Sequence, residues 1–449
     1  MKLACIGPLN PLRTGVADFV ENLLPFLARR CEVKLFTDGY SPSPTPILAQ
    51  IPAADISEFV SDPSAFDAVL YHMGNHYKYH RRVFETLWRL PGVVMLHDCV
   101  LNEFFAKYAL ERGNFRAFRR LLGLCYPDLA DQEVAAFYGA EGDPCRFPMA
   151  GVTAMCSRGT IVMNEYARGI VLKEAPGASV LKISFPHFPV RALSEPVQAV
   201  RKMFNIPEEC LVVTSIGHMT PAKRIPVALE AFRKFNERFP DSVFLLAGET
   251  SGRLPVVDII DNRSLKNVRY LGYLQRAELN GLMEMADICI NLRYPSNGEM
   301  SSTLINMLGR GKVVVVSNYA QFAEFPDSTC VKIDLGPMES DDLADRLLRL
   351  ASDTEHRRCI GEAARDYIME NHSPDAAADA IVNFMQDRST AEPLLTREHL
   401  NGLLSPDGPL RRSRQLVAYN TKRFLLHSRE QGIVRTVRES LRRAFARTL

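Results

Sequence analysis

The chain has 449 residues, more than one hydrophobic core usually supports, so at least two domains are expected. Hydrophobic residues make up 47% of the chain and charged residues 24%, which is typical of soluble globular proteins. The formal net charge of +2 requires no polyanionic partner, and no apolar run approaches the roughly 20 residues of a membrane span.

The first half of the chain alternates short apolar runs with amphipathic helical patterns. Unalternating apolar strands separated by helices indicate a parallel sheet that is covered on both faces. The predicted strands are 3–6, 33–36, 68–71, 93–96, 159–163 and 180–183, and the clearest predicted helices are 16–28, 79–88 and 101–124.

A proline-rich break at 185–190 precedes a second series of the same kind. Its predicted strands are 211–216, 243–247, 268–271, 288–292, 313–316 and 330–333, and its predicted helices are 196–204, 226–238, 276–285, 301–309, 340–352 and 355–370. We therefore predict an α/β protein with two Rossmann-like, doubly wound domains, 1–188 and 189–388. Such sheets bind ligands at the carboxyl ends of their strands, in a crevice that the two domains are expected to share.

The last part of the chain, 389–449, is predicted to be a linker followed by a basic amphipathic helical tail. Between Arg411 and Leu449 there are eleven basic residues and only two acidic ones, with apolar residues interleaved. This pattern is typical of a helix on an anionic membrane surface; a helix packed on the body and a disordered tail are the alternatives. Nucleic acid is not expected, because no nucleic-acid motif accompanies the charge.

The ten cysteines are scattered, with no Cys-x-x-Cys pair and no Cys/His cluster. They indicate reduced thiols in a reducing compartment and give no reason to expect a metal centre. The N-terminus does not resemble a signal peptide, because its apolar stretch stops after four residues. We expect a cytoplasmic protein, with the basic tail as a candidate for peripheral attachment to the cytoplasmic face of a membrane.

In the first domain, candidate residues lie where strands end. Gly15 stands where a loop enters a helix, and backbone amides at such a place suit a phosphate. His97 ends a buried strand and could contact a sugar hydroxyl or a developing charge; a single structural hydrogen bond is the alternative. His72, Asn75 and His76 follow the preceding strand and are candidates for the acceptor side.

In the second domain, His218, Lys223 and Arg224 follow the first strand and precede a helix, a position where two cations would suit a diphosphate. The alternative is two solvated charges on a turn. A later polar loop carries Glu299, which could accept hydrogen bonds from sugar hydroxyls. Free amides at the following helix start would face an anion or a sugar oxygen. The residues of that start are Met300, Ser301, Ser302 and Thr303, with Asn306 one turn further on the same side.

Together these segments resemble the retaining GT-B glycosyltransferases of family 4, over about residues 1–386. The family's second domain shows a Gly-Arg pair followed after four residues by Lys, and here Gly217 and Lys223 match while His218 replaces the Arg. The family's Pro-Ser-x-x-Glu segment is matched by Pro295, Ser296 and Glu299. The second Glu of the family pattern is missing: the segment is one residue short, and Asn306 stands in that place.

The resemblance implies roles for these residues. Lys223 and Arg224 would hold the donor diphosphate, Glu299 the donor sugar, and the amides of Met300–Thr303 the sugar or phosphate. His97 would touch the sugar at the reaction centre, and Gly15 would bring the first domain to the phosphates. In the family the second Glu binds the ribose, which Asn306 could still do as a neutral group.

The resemblance thus implies a retaining glycosyltransferase that moves a sugar from a nucleotide-diphosphate sugar to a glycan, lipid-linked or other acceptor. The resemblance implies that no cofactor or metal is needed, because GT-B enzymes generally manage the diphosphate with protein groups, and cations and amides stabilise its charge. Two alternatives stay open: another nucleotide-sugar enzyme of GT-B architecture, such as an epimerase or a phosphorylase, and a non-catalytic binding protein derived from this fold. The donor, the acceptor and the oligomeric state do not follow from the sequence.

Overall fold

The computed structural model describes residues 1–112, 114–132, 134, 143–188, 196–250, 254–262, 265–388 and 391–405. The chain divides into two compact units. Unit 1 comprises Met1–Ile183, Asn297–Glu299 and Ala378–Leu449, and unit 2 comprises Ser184–Ser296 and Met300–Ala377.

Unit 1 is built on a seven-stranded sheet in the order β3-β2-β1-β4-β5-β6-β7, in which every neighbouring pair is parallel. Its strands are β1 (Lys2–Ile6), β2 (Glu32–Thr37), β3 (Ala53–Asp55), β4 (Ala68–Met73), β5 (Val93–Leu96), β6 (Gly159–Val162) and β7 (Val180–Lys182). The helices between them are α1 (Gly15–Ala28), α2 (Ile56–Ser61), α3 (Tyr77–Leu87), α4 (Asn102–Glu111), α5 (Phe115–Cys125), α6 (Ala150–Met155) and α7 (Glu165–Glu174).

Unit 2 is built on a six-stranded parallel sheet in the order β10-β9-β8-β11-β12-β13. Its strands are β8 (Leu211–Ile216), β9 (Ser242–Ala247), β10 (Val268–Gly272), β11 (Ile288–Asn291), β12 (Val313–Ser317) and β13 (Val331–Ile333). Its helices are α8 (Val197–Met203), α9 (Ile225–Arg238), α10 (Val256–Asn262), α11 (Arg276–Met285), α12 (Ser302–Gly309), α13 (Glu339–Ser352) and α14 (Thr354–Asn371). The division between the units falls within α15 (Pro374–Arg388), and α16 (Arg397–Leu403) belongs to unit 1.

The central strands of both sheets are mostly apolar because both of their faces are covered. Every residue of β5, β8, β9, β11 and β12 is buried. Removing a Val or Leu side chain from water stabilises the fold by about 1.5–3 kcal/mol, so these strands anchor each unit. The predicted doubly wound α/β architecture is confirmed.

The strand order reverses once in each sheet, between β1 and β4 in unit 1 and between β8 and β11 in unit 2. At such a switch point the following helices lie on opposite faces, which leaves a crevice at the carboxyl ends of the two strands. Gly7 follows β1 and Gly74 follows β4, whereas Gly217 follows β8 and Leu292 follows β11. These four positions mark where each sheet is able to bind a ligand.

Two local predictions were wrong. The helix predicted at 101–124 is divided into α4 and α5, because Asn114 starts a new helix by accepting a hydrogen bond from the Ala117 amide at 3.1 Å. The linker predicted near 389–409 contains α16, whose Leu400 is fully buried in the unit 1 core. The basic tail, Arg411–Leu449, lies outside the described residues.

The first unit ends before the prolines that marked the predicted boundary at 188. Residues after Ile183 belong to unit 2, where the His187 amide donates to the His372 backbone oxygen at 2.7 Å. Phe185 also bonds His372, through its backbone oxygen and the imidazole Nδ1, at 2.7 Å. None of the helices in the described ranges is both long and apolar enough to span a bilayer.

Candidate active site

Two histidines meet at the carboxyl ends of β4 and β5 in unit 1. The Nδ1 of His72 lies 3.0 Å from the Nε2 of His97, so one ring donates a hydrogen bond to the other. His72 is fully buried and His97 is 8% exposed. Burial lowers the pKa of His72 to about 3, and burial together with the neighbouring histidines holds the pKa of His97 well below its usual value. Both rings are therefore neutral at physiological pH.

A third buried histidine and a carboxylate lie beside this pair. A Cβ at Gly74 would lie 2.9 Å from Asp98 Oδ2 and 3.1 Å from His80 Cε1, so a larger residue there would displace one of these side chains. Asp98 Oδ2 accepts a hydrogen bond from the backbone amide of Asn75 at 2.9 Å. Among the described residues, the buried Nε2 atoms of His72 and His80 have no hydrogen-bond partner. Burial lowers the pKa of His80 to about 4.

The remaining unit 1 candidates lie on helix starts. Gly15 is exposed at the first position of α1, where Thr14 caps the helix by accepting from the Ala17 amide at 3.0 Å. Phe19, one turn further along α1, packs edge-on against His97 with the ring centroids 4.9 Å apart. His76 is exposed at the N-cap of α3, and its ring stacks on Tyr79 at 4.2 Å.

The tripeptide Asn297–Glu299 belongs to unit 1, although the residues on either side of it belong to unit 2. The backbone oxygen of Asn297 accepts hydrogen bonds from the Cys99 amide at 2.7 Å and the Val100 amide at 3.2 Å. The side chain of Asn164 donates to the Gly298 oxygen at 2.9 Å. These three bonds attach the tripeptide to Cys99 and Val100, which follow His97 and Asp98, and to Asn164 at the start of α7.

Glu299 is partly exposed at the end of this tripeptide. Its Oε2 accepts a hydrogen bond from the backbone amide of Asn297 at 2.9 Å, which orients the carboxylate within its own loop. Gly298 makes the turn possible, because its φ of +77° is in the left-handed region and a Cβ there would lie 3.1 Å from the Cys99 Cβ. Unit 1 thus brings His72 to His97, bonds Asn75 to Asp98 and holds Glu299 beside Cys99.

In unit 2, Lys223 lies at the switch point. Its ammonium is buried and donates to the Ile216 backbone oxygen at the end of β8. Gly217 has a φ of +108°, and a Cβ there would lie 2.7 Å from Lys223 Nζ and 3.8 Å from Thr303 Oγ1. Lys223 and the start of α12 therefore converge on Gly217, whereas His218 points its side chain to an exposed position.

Arg224 has a partner that sequence reasoning missed. Its guanidinium forms a two-point ion pair with Glu339, in which Nε lies 3.2 Å from Oε1 and Nη2 contacts Oε2. Glu339 is only 2% exposed, so this arginine neutralises a buried carboxylate. The arginine also lies over the Tyr294 ring, 5.8 Å from its centroid. No local sequence pattern indicates this pair, because the two residues are 115 positions apart.

The start of α12 has the capping that the sequence predicted. Ser301 is the N-cap and its hydroxyl accepts from the Leu304 amide at 3.3 Å and donates to Asn291 Oδ1 at 3.3 Å. The first amides of a helix have no partner within the helix, so those of Ser302 and Thr303 point outward at this end. Met300 and Asn306 are partly exposed near the same helix. The Asn306 backbone oxygen accepts from Arg310 at 3.1 Å.

The structure thus brings His72 and His97 together in unit 1, and Lys223 and Thr303 together at Gly217 in unit 2. Gly15, His76 and His218 are at exposed positions. The predicted meeting of Lys223 with His97 and Glu299 stays a prediction. The residues that sequence reasoning missed are the ones that hold these groups, namely Asp98, Asn164, Gly298 and Glu339. In the described ranges, no three His, Cys, Asp or Glu side chains are arranged to hold a metal ion.

Two parallel, doubly wound sheets with these switch points define a protein of the GT-B fold, which solved structures support. The structure of Anabaena HepE in complex with UDP and glucose has a TM-score of 0.63 at 16% identity, covering 86% of this chain and 100% of that one. Sucrose-phosphate synthase from Thermosynechococcus elongatus has a TM-score of 0.62 at 15% identity, covering 86% and 98%. Likenesses at this identity show the fold.

Residues 197–367 match the family described as Glycosyl transferases group 1. Alpha-monoglucosyldiacylglycerol synthase of Acholeplasma laidlawii is 29% identical over 108 residues, 24% of this chain and 27% of that protein. The uncharacterized glycosyltransferase YqgM of Bacillus subtilis (strain 168) is 27% identical over 165 residues, 36% of this chain and 44% of that protein. The chain thus matches less than half the length of these curated relatives.

Proposed function

We propose that the protein is a retaining glycosyltransferase of family 4 that transfers a sugar from a nucleotide-diphosphate sugar to an acceptor. The family match over 197–367 supports glycosyl transfer. The observation that carries the proposal is the attachment of Asn297–Glu299 beside Cys99, because it holds the Glu299 carboxylate beside the residue that lies two positions after neutral His97. A carboxylate and a neutral imidazole are suited to orienting sugar hydroxyls around a reacting carbon.

The leaving diphosphate is assigned to unit 2. During glycosyl transfer the anomeric carbon gains positive charge while negative charge grows on the diphosphate. A fixed ammonium such as that of Lys223, together with outward-pointing amides at the start of α12, stabilises this charge without reorganisation. The ion pair between Arg224 and Glu339 supports a supplementary role for Arg224, which would orient the turn that contains Lys223.

The names of similar proteins indicate which nucleotide sugars and acceptors to test first. HepE has been crystallised with UDP-glucose, so UDP-sugars are the first donors to test. The names of two relatives, alpha-monoglucosyldiacylglycerol synthase and the O-antigen biosynthesis glycosyltransferase WclY of Escherichia coli, suggest diacylglycerol and glycan acceptors. Cell-surface polysaccharide or glycolipid synthesis is the proposed context. The basic tail would attach the enzyme to an anionic membrane, with no metal required.

The experiment measures nucleotide release from UDP-, GDP- and ADP-sugars by the full chain, with and without EDTA. We expect one donor to be turned over in EDTA, and Lys223→Ala and Glu299→Ala to abolish turnover while their melting temperatures stay near that of the wild type. The matched controls are Lys266→Ala and Glu208→Ala, both at exposed positions of unit 2. Wild-type turnover in either site variant would refute the assignment, and NMR of the product anomer tests retention.

A further inference from the structure

A cavity lies in unit 1 at the end of the sheet where β4, β5 and β6 begin. Its volume is about 220 Å³, and its lining includes Ala68 and Val93, the first residues of β4 and β5. Arg158, which directly precedes β6, also lines it. Because these strands are parallel, they all begin at one end of the sheet and finish at the other. This cavity therefore lies at the end of the sheet opposite His72 and His97. We propose that it binds a compact phosphorylated molecule.

The cavity is lined by three arginines, Arg89, Arg158 and Arg388. The Nε of Arg158 is buried and has no hydrogen-bond acceptor in the described part of the chain. Within the same residues, neither Arg89 nor Arg158 forms an ion pair, whereas Arg388 is paired with its neighbour Asp387. In the described residues these two guanidinium groups line one cavity without forming an ion pair, an arrangement that an anion completes.

The one carboxylate of the lining is already engaged. Asp67 accepts a hydrogen bond from the Lys2 backbone amide at 2.7 Å, at an exposed position on the rim. Since Arg388 is offset by Asp387 and Asp67 offsets one further cation, the cavity keeps a net positive charge. A planar guanidinium presents two parallel N–H groups, which match the oxygens of a phosphate group better than a point charge does.

The rest of the lining is apolar and held in place. Phe59, Phe66 and Leu90 contribute to the wall. The Tyr71 hydroxyl donates to the Leu90 backbone oxygen at 2.6 Å, which fixes the turn before β5. At Gly92 a Cβ would lie 2.7 Å from the Val69 oxygen, so the backbone there is packed as closely as the chain allows. This preformed apolar wall favours a ligand with a ring or an apolar group next to its phosphate.

The size of the cavity limits the ligand. Sites for drug-sized molecules typically have volumes of about 300–1,000 Å³, so about 220 Å³ suits a phosphomonoester but not a complete nucleotide sugar. The ligand is therefore distinct from the proposed donor. It would act as an effector bound at the edge opposite the candidate active site, and its binding does not depend on the proposed function.

The experiment titrates phenyl phosphate and inorganic phosphate into the full chain and measures heat and tryptophan fluorescence. Trp88 is the only tryptophan, and the Arg89 guanidinium lies 4.9 Å from its ring centroid, so an anion at Arg89 changes its emission. We expect phenyl phosphate to bind more tightly than inorganic phosphate, and phenol not to bind. Arg158→Met and Arg89→Met should each weaken phenyl phosphate binding at least tenfold, and Arg158→Lys should weaken it less.

Two controls separate this cavity from other phosphate-binding positions. Arg238→Gln, at an exposed position of α9, should leave the affinity for phenyl phosphate unchanged. Lys223→Ala should also leave it unchanged, because Lys223 belongs to the switch point of unit 2. Loss of binding in Lys223→Ala with full binding in Arg158→Met would overturn the proposal, as would the absence of any phosphate binding. Thermal melts of each variant establish that it is folded.

Discussion

The side-chain amide of Asn164 donates a hydrogen bond from Nδ2 to the backbone oxygen of Gly298 at 2.9 Å. The other end of the same amide caps α7, because Oδ1 accepts from the Ala167 backbone amide at 2.7 Å. One residue therefore joins the start of a helix to the tripeptide that contains Glu299. The two functions are separable, because an aspartate is able to cap the helix but cannot donate to Gly298.

Replacing Asn164 by Asp should keep the helix cap but release the tripeptide. Asp is as good an N-cap as Asn, but at this position, which is 2% exposed, its carboxylate would face the Gly298 oxygen with no hydrogen to donate. Leaving that oxygen unpaired should lower the free energy of unfolding by about 1–3 kcal/mol. A loosening of the tripeptide by about 1.4 kcal/mol corresponds to roughly a tenfold loss of kcat/KM. In Asn164→Ala the cap is lost as well, which costs about 1 kcal/mol. Urea denaturation and nucleotide release measure both effects; full activity in Asn164→Asp would mean that this bond does not position Glu299.

Gly298→Ala should lower both stability and turnover. An L-residue in the left-handed region costs about 1–2 kcal/mol, and the added methyl group would also press on Cys99 at 3.1 Å. Gly272→Ala is the matched control, because Gly272 has a φ of +66° with nothing within 4 Å of its Cβ position. The control should show a similar backbone cost with unchanged turnover. Equal turnover in the two variants would argue against a role for the Gly298 turn.

Arg224→Gln should destabilise the protein strongly. Removing the guanidinium leaves the Glu339 carboxylate, which is 2% exposed, without its ionic partner. Breaking a buried ion pair in this way typically costs about 3–5 kcal/mol; because Arg224 is itself partly exposed, we expect about 3 kcal/mol. The double variant Arg224→Gln/Glu339→Gln should recover part of the loss. Chemical denaturation of the single and double variants gives the coupling energy, and a single variant as stable as the wild type would contradict the structural role.

Stability should fall when the pH is lowered from 6.5 to 4. His72 and His80 have pKa values of about 3 and 4 in the fold, against about 6.5 when unfolded, so in this window the unfolded chain binds more protons. The stabilisation is present above about pH 6.5 and is lost as the pH falls towards the folded values. Each histidine contributes up to about 1.4 kcal/mol per pH unit.

The variant His80→Gln tests this pH dependence. It should reduce the slope of unfolding free energy against pH by about one histidine's contribution. His356→Gln is the control, since His356 is exposed on α14. Urea midpoints between pH 7 and pH 4.5 give the slopes, and identical slopes in His80→Gln and the wild type would show that His80 is not held neutral by the fold.

Much of the fold was predictable because its strands are continuously apolar. The runs at 93–96, 211–216 and 313–316 were found almost to the residue, since their short length and their content of β-branched residues favour buried strands over helices. The division of α4 from α5 was missed, because the cap at Asn114 interrupts a hydrophobic pattern that continues through it. Short elements such as β3 and α16 gave too weak a periodicity to be distinguished from loops.

The candidate site was predictable only as a set of residue types. Strand ends and helix starts located His97, Lys223 and the Ser301 cap, because local chain geometry determines those positions. The sequence did not show that Glu299 would be attached beside Cys99, or that Arg224 would pair with Glu339. Those contacts join residues more than 100 positions apart, and they depend on tertiary packing that no local pattern encodes.

The placement of Asn297–Glu299 within unit 1 has a consequence for dissecting the protein. The polypeptide passes from one unit to the other four times, after Ile183, Ser296, Glu299 and Ala377. A single cut after Ile183 would therefore deprive the amino-terminal fragment of a tripeptide that receives three of its hydrogen bonds and of the helix whose Leu400 fills its core. Expressed alone, that fragment would lack parts of its own interior, so the two halves have to be produced as one polypeptide.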